Sequence, residues 1–273
     1  MYEENEVRKL SEEKITIEVE SAEEMKQLYS PPIQSADTLF HFVKKIDYLI
    51  PIIEKFALVP RYCVEDIDYL DIGMKQIAYP MLCFCDINLH KMQEHMELYG
   101  GYGIAFSKKW GISKGIQPIQ YVNSQSPLRN DFSMAFLDSL QSVTEDSAQN
   151  YLLSQMYYFK AIQGTMERNG EKIFKNFTDE CEWRFIPDVK KECLPQAVSE
   201  TEIFSISTLN NTLEMSDSCW LKFEAPDIKY IILKTDEEFM LVVDIIKNKG
   251  LDEITVAKLL SRIVVWPNVR GDF

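Results

Sequence analysis

The sequence predicts an α+β fold in which a mixed, largely antiparallel central sheet carries packed helices. Three observations predict it. The block from Leu82 to Val122 has the pattern of strand, helix, glycine-hinged strand, turn and strand in unbroken succession. The segment CEWRFIP and the later runs LKF and IKYIIL are typical of further strands, and amphipathic stretches around them are typical of helices.

The first 36 residues predict an arm outside a single domain that covers residues 37–273. This stretch begins with an acidic, charged segment, has a possible strand at Ile15–Val19 and a short helix at Ala22–Tyr29, and ends near the helix breaker Pro31-Pro32.

The domain begins with a strand and a helix. The run LFHFV after Thr38 is β-prone, and IDYLIPIIEKF then spaces its apolar residues for one helix face. Pro51 either starts this helix or kinks a longer one, and both alternatives stay open.

The central block follows a polar, Asp-rich loop that ends at Tyr79-Pro80. The strand MLCFC comes next, and Asp86 is placed to cap a helix that reaches about Tyr99. Three glycines around Tyr102 predict a sharp turn into the strand IAF, and the tight turn SKKWGISKG leads to IQPIQYV.

The remaining elements follow the same reasoning from periodicity. We expect helices at Asp131–Leu140, Glu145–Glu167, Glu237–Lys247 and Asp252–Leu260, and a short terminal strand at Arg262–Pro267.

Charge and composition exclude several classes of function. There are 43 acidic against 29 basic residues and a formal net charge of −14, so a general nucleic-acid footprint is missing. No run is apolar enough for a spanning helix, and no secretory signal precedes the six sparse cysteines, which predicts a cytoplasmic protein with reduced thiols. An acidic surface of this kind suits a basic protein partner.

The sharpest local pattern is ECEWRF. On an extended strand Glu180, Glu182 and Arg184 share one face, whereas Cys181 and the following aromatic residues share the other. Such a strand can hold two carboxylates and a guanidinium at the rim of a pocket, which suits a catalytic acid. The same face can equally form cross-strand ion pairs that serve only the fold.

Metal and nucleotide motifs are weak or absent. Cys83, Cys85, His90 and His95 fall close together, but two histidines five residues apart diverge around a helix, so we predict no metal site. The sequence contains no phosphate loop, no dinucleotide fingerprint, no nucleophile elbow and no H-E-x-x-H.

The Leu82–Val122 block, together with FTDECEWRFIP at Phe177–Pro187, resembles the AbiGi family of abortive-infection proteins, over roughly Asp37 to Pro187. The resemblance implies a component of bacterial phage defence that acts as an antitoxin. It also implies a protein partner, either a companion toxin similar to nucleotidyltransferases or a phage-derived component.

The glutamate-x-glutamate strand also resembles one branch of the ADP-ribosyltransferases, which implies an alternative function with NAD as cofactor. In that alternative Glu182 stabilises the oxocarbenium-like transition state, Glu180 orients the acceptor and His41 contacts the NAD ribose. The cofactor-binding candidates are Arg61, Tyr102 and Arg184. This hypothesis predicts that Glu182 and His41 line one cavity.

Overall fold

A computed structural model describes residues 29–141, 147–168 and 170–272. The chain divides into two compact units, residues 1–31 and 32–273, and the elements below belong to the second. The strand predicted at Ile15–Val19 and all but the last residue of the helix predicted at Ala22–Tyr29 lie outside the described residues.

Strands and helices alternate irregularly along the second unit, which makes the protein α+β. The strands are β1 (Thr38–Val43), β2 (Ala57–Leu58), β3 (Arg61–Asp66), β4 (Gln76–Cys85), β5 (Tyr102–Ser107), β6 (Gln117–Pro118), β7 (Gln120–Val122), β8 (Phe159–Ala161), β9 (Gln163–Arg168), β10 (Glu171–Asn176), β11 (Glu182–Phe185), β12 (Val198–Ser199), β13 (Leu221–Lys222), β14 (Ile228–Leu233) and β15 (Ile263–Val265). The helices are α1 (Ile46–Lys55), α2 (Met92–Tyr99), α3 (Lys108–Ser113), α4 (Pro127–Leu140), α5 (Ser147–Tyr157), α6 (Ile206–Met215), α7 (Asp236–Lys247), α8 (Glu253–Leu260) and α9 (Trp266–Val269).

The central sheet confirms the mixed, largely antiparallel arrangement. Its strands follow the order β15-β14-β5-β1-β4-β11-β6, and β3 and β12 also pair with β4. Along this path only β14 and β15 run parallel. Because β4 pairs with several strands, it connects the two halves of the sheet.

Helices cover both faces of the sheet. On one face, Ile104 and Phe106 of β5 pack in a core cluster with buried residues of α1, α7 and α8. On the other face, Phe40 and Ala105 pack with Met92 and Met96 of α2. Side chains alternate between the two faces along each strand, so neighbouring residues of β1 belong to different cores.

Two predicted elements are wrong in their extent. The stretch before Tyr79-Pro80 is not only a loop, because β3 and the first half of β4 pair there, with Tyr62 opposite Pro80. The helix predicted at Glu145–Glu167 ends at Tyr157 as α5, and β8 and the hairpin β9–β10 follow it. The tertiary pairing of these strands outweighs their local helical periodicity.

Three local features of the central block also need correction or a decision. Asp86 caps no helix: α2 begins at Met92, and the Asp86 carboxylate instead accepts a 2.6 Å hydrogen bond from Lys108. The stretch predicted as a tight turn contains helix α3. Pro51 lies inside α1, which therefore begins before the proline.

The glycine hinge before β5 has a physical reason. Gly100 has φ +131°, and a Cβ at this position would lie 2.2 Å from the backbone oxygen of Val43. A side chain there would meet backbone that cannot move aside, so the turn from α2 into β5 requires glycine.

Candidate functional site

The face of β11 that carries Glu182 and Arg184 forms the centre of the site, and both side chains share it as predicted. Glu180 is not on this strand. It ends a short 3-10 helix, Phe177–Glu180, and Cys181 after it adopts a left-handed φ of 43°, which interrupts the extended chain. The prediction that all three residues lie on one strand is therefore wrong for Glu180.

The burial of the two faces is the reverse of what the sequence predicts. Glu182 and Arg184 are 6% and 0% exposed, whereas Trp183 and Phe185 on the apolar face are only partly buried. The charged face therefore lies inside the protein rather than at the rim of an open pocket. Charged groups this deeply buried require partners.

Arg184 has a partner for each of its three nitrogens. Nε donates a hydrogen bond of 2.6 Å to Glu182, and Nη2 donates one of 2.8 Å to Glu65 on β3. Nη1 donates to the backbone oxygen of Tyr157 at 2.8 Å and to the Tyr79 hydroxyl. Burial alone lowers the pKa of Arg184, but Glu182 and Glu65 outweigh it and raise that pKa above its usual value.

Two lysines donate hydrogen bonds to the carboxylates of Glu180 and Glu182. Lys160 on β8 donates 2.7 Å hydrogen bonds to both Glu180 and Glu182. Lys175 on the hairpin donates to the remaining Glu180 oxygen at 2.9 Å, and the Tyr99 hydroxyl donates to the same oxygen. All four oxygens of the two glutamates therefore have a hydrogen-bond donor.

These contacts define a buried charge network in which three carboxylates balance three cations. Its members are Glu65, Lys160, Lys175, Glu180, Glu182 and Arg184. Because β3, β8, β10 and β11 each contribute at least one member, the network joins strands that do not all pair directly. Buried ion pairs with saturated hydrogen bonding hold a geometry, and losing one partner is costly.

The charged state of the glutamates depends on this balance. Burial raises the pKa of Glu182, but Arg184 and Lys160 outweigh burial and lower that pKa well below its usual range. The pKa of Glu180 is also lowered, because Lys160 and Tyr99 outweigh its burial. A carboxylate held in this state is a poor general acid at neutral pH.

The lowered pKa of Glu182 predicts a pH dependence of stability. A depressed folded-state pKa contributes stability above the unfolded value of 4.5, and the contribution is lost as the pH falls below that value. We expect the urea midpoint of the wild type to fall between about pH 5 and pH 3, and the midpoint of Glu182→Gln to fall less over the same interval. Parallel slopes for the two proteins would contradict this prediction.

His41 lies on the opposite face of the sheet from Glu182. Phe40 and Glu182 both stand opposite Cys85 in the register, so these three side chains share a face, and His41 points the other way. Its ring lies 5.7 Å from that of Phe84, and its Nδ1 donates a 2.9 Å hydrogen bond to a backbone oxygen of β4. The prediction that Glu182 and His41 line one cavity is wrong.

The surroundings of His41 also set its charge. Burial among its neighbours lowers the pKa of His41, and the hydrogen bond to the Cys83 backbone opposes this effect without cancelling it. The imidazole is therefore neutral at physiological pH.

Neither Arg61 nor Tyr102 belongs to the network, because each has another partner. Arg61 pairs with Glu214 at 2.8 Å, and both side chains are more than half exposed. The Tyr102 hydroxyl donates to Glu238 at 2.5 Å, and the ammonium of Lys234 lies 4.9 Å from the centre of its ring. Of the six predicted site residues, the structure brings together Glu180, Glu182 and Arg184.

Two shallow clefts on the described surface contain none of the six predicted site residues. One, of about 300 Å³, lies beside Gly115 and Tyr158, and the other, of about 440 Å³, beside Asn88 and Tyr230. Within residues 29–141, 147–168 and 170–272 we find no group of three or more metal-ligating side chains. The helices within these ranges are too short or too polar to span a bilayer.

Comparisons with known proteins match most of the chain. Residues 56–234 match the family described as "Putative abortive phage resistance protein AbiGi, antitoxin". The abortive phage resistance protein AbiGi of Lactococcus lactis subsp. cremoris is 34% identical over 248 residues, which cover 80% of this chain and 100% of the relative. No solved structure matches.

Proposed function

The chain belongs to the AbiGi family of abortive phage resistance proteins, and from this premise we propose that it acts in phage defence as an antitoxin that binds a protein partner. The family description as an antitoxin supports this function. Of the two candidate partners, a companion toxin and a phage-derived component, the description as an antitoxin favours the companion toxin.

The observation that carries the proposal is that protein groups engage every carboxylate oxygen of Glu180 and Glu182 inside the buried charge network. Both oxygens of Glu182 accept hydrogen bonds from protein cations, one from Arg184 and one from Lys160. Glu182 is also only 6% exposed, so a substrate has little access to its carboxylate, and we infer that the residues most suggestive of catalysis serve the fold. We therefore propose that the function resides in the binding of a partner at the protein surface.

The charge of the chain supports a basic partner. A net charge of −14 creates a negative potential that accelerates the encounter with a positively charged protein and disfavours nucleic acid. The effect weakens as salt screens the charges.

The alternative function, an NAD-dependent ADP-ribosyltransferase-like effector, receives no support from the geometry. It requires Glu182 and His41 on one side of a ligand, and the register directs them to opposite faces. Its test, nicotinamide release, is independent of the test for partner binding.

We expect the protein to neutralise the product of the gene beside its own. Growth should stop when that product is expressed alone and resume when this chain is co-expressed, and the two proteins should co-purify, with slower association at higher salt. The control is an unrelated acidic protein of similar charge, which should restore nothing. If growth stays arrested and no complex forms, the proposal is wrong.

A further inference from the structure

Helices α4 and α5 pack side by side over a core of their own. Phe132 and Phe136 of α4 and Met156 and Tyr157 of α5 are buried in one cluster with Tyr79. The inner faces of both helices are therefore fully used by the fold.

Their outer faces are unusually apolar for surface helices. Met134 and Tyr151 are 60% and 61% exposed, and the other large exposed apolar residues of the pair are Leu128, Leu137 and Leu140. Only three charged residues stand among the 14 residues of α4 and the 11 of α5. A helix at a protein surface normally carries its polar residues outward, and clustered exposed apolar side chains mark interaction sites.

Met134 lies at the centre of the outer face of α4. It is two residues from both Phe132 and Phe136, and two residues correspond to a turn of about 200° around a helix. Tyr151 is similarly separated from the buried Met156 by about 140° on α5. We call the outer surface around these two residues the α4–α5 face.

Two aspartates flank Met134 and give the α4–α5 face its charge. Asp131 and Asp138 lie one turn before and one turn after it, both are exposed, and neither forms an ion pair within the described residues. The one cation of the two helices, Arg129, is engaged by Asp71 at 3.5 Å. The face is therefore apolar at its centre and negative at its edge.

We infer that the α4–α5 face is the surface on which the protein partner docks, and that the partner presents an apolar patch edged by basic residues. The inference rests on the proposed function and adds its location and chemistry. A second copy of this chain fits less well, because aspartates would meet aspartates between two molecules of net charge −14.

Helix α7 provides a matched surface for comparison. This helix also has an exposed methionine, Met240, with an acid three residues before it and another four residues after it. The acids are Glu237 and Asp244, and Met240 is 56% exposed. The family match covers residues 56–234, which include α4 and α5 and end before α7. A surface that serves the common function of the family belongs in the matched stretch, so α4–α5 is favoured.

The test compares two matched pairs of variants for binding to the product of the adjacent gene. Met134→Glu and Asp131→Lys/Asp138→Lys change the α4–α5 face, whereas Met240→Glu and Glu237→Lys/Asp244→Lys make the same changes on α7. We expect the α4 variants to weaken binding at least about tenfold and the α7 variants to leave it within about twofold. Unfolding midpoints of Met134→Glu, Met240→Glu and Asp131→Lys/Asp138→Lys should stay close to the wild type, because these side chains are exposed. Glu237 accepts a hydrogen bond from Thr235 in the first turn of α7, so the lysine variant of α7 is expected to unfold at a somewhat lower midpoint.

Each other outcome overturns the inference in a recognisable way. If the wild type binds and the α4 variants bind equally well, the docking surface is elsewhere while the proposed function stands. If both helices give the same loss, general charge rather than this face controls binding. If wild-type chains self-associate and Met134→Glu abolishes the association, a second copy occupies the face. If the wild type binds nothing, the proposed function fails together with the inference.

Discussion

Replacing Arg184 with methionine is expected to lower the free energy of unfolding by about 3–5 kcal/mol. The substitution leaves Glu182 and Glu65 buried without their guanidinium, and an uncompensated buried charge costs far more than an ion pair contributes. A loss of this size is a large part of the stability of an ordinary domain, about 5–15 kcal/mol.

Arg61 provides the matched control for Arg184. Its bond to Glu214 has the same 2.8 Å length as the bond from Arg184 to Glu65, but Arg61 and Glu214 are both solvent-exposed. Arg61→Met should therefore change the unfolding free energy by less than about 1 kcal/mol. Urea unfolding followed by circular dichroism measures both variants, and similar losses for the two would show that burial does not govern the network.

The Arg184 substitution should also weaken partner binding indirectly. Arg184 donates to the backbone oxygen of Tyr157, the last residue of α5, so it helps to hold the helix that presents Tyr151. Loss of this hydrogen bond is expected to loosen the end of α5 and so to disturb the α4–α5 face.

Replacing Glu182 with glutamine is expected to destabilise the fold by about 2–5 kcal/mol rather than to remove an activity from an intact protein. The substitution replaces one of the two acceptor oxygens with an amide nitrogen, which cannot accept from Arg184 or Lys160. Two buried cations then face a neutral group.

Glu214→Gln is the control for this substitution. Glu214 also pairs with an arginine but is 52% exposed, so its loss should cost less than about 1 kcal/mol. A Glu182→Gln variant as stable as Glu214→Gln would contradict the structural role of Glu182.

The sequence predicts the fold class well, because most strands and helices of the central sheet have a clear local pattern. LFHFV and IKYIIL are confirmed as β1 and β14, and the late amphipathic stretches as α7 and α8. The region after α5 was predicted wrongly as helix. The dipeptide Asn169-Gly170 is a strong hairpin signal there, and the β-prone residues Ile173 and Phe174 follow it.

The site was only partly predictable. The sequence correctly places Glu182 and Arg184 on one face, because side chains two residues apart on a strand point the same way. Lys160 and Lys175 lie on β8 and on the β9–β10 hairpin. Neither element was predicted, because a helix was predicted at Glu145–Glu167 instead. The separation of His41 from Glu182 depends on the register between β1, β4 and β11, which connects residues more than 40 positions apart and has no local signal.

The role that we propose for Glu182 is to maintain the fold rather than to act on NAD. The most direct measurement incubates wild-type protein and Glu182→Gln with nicotinamide-labelled NAD and follows urea unfolding of both in parallel. We expect no nicotinamide release above the protein-free background from either protein, together with a clearly lower unfolding midpoint for the variant. Release by the wild type that is abolished in an equally stable variant would contradict it.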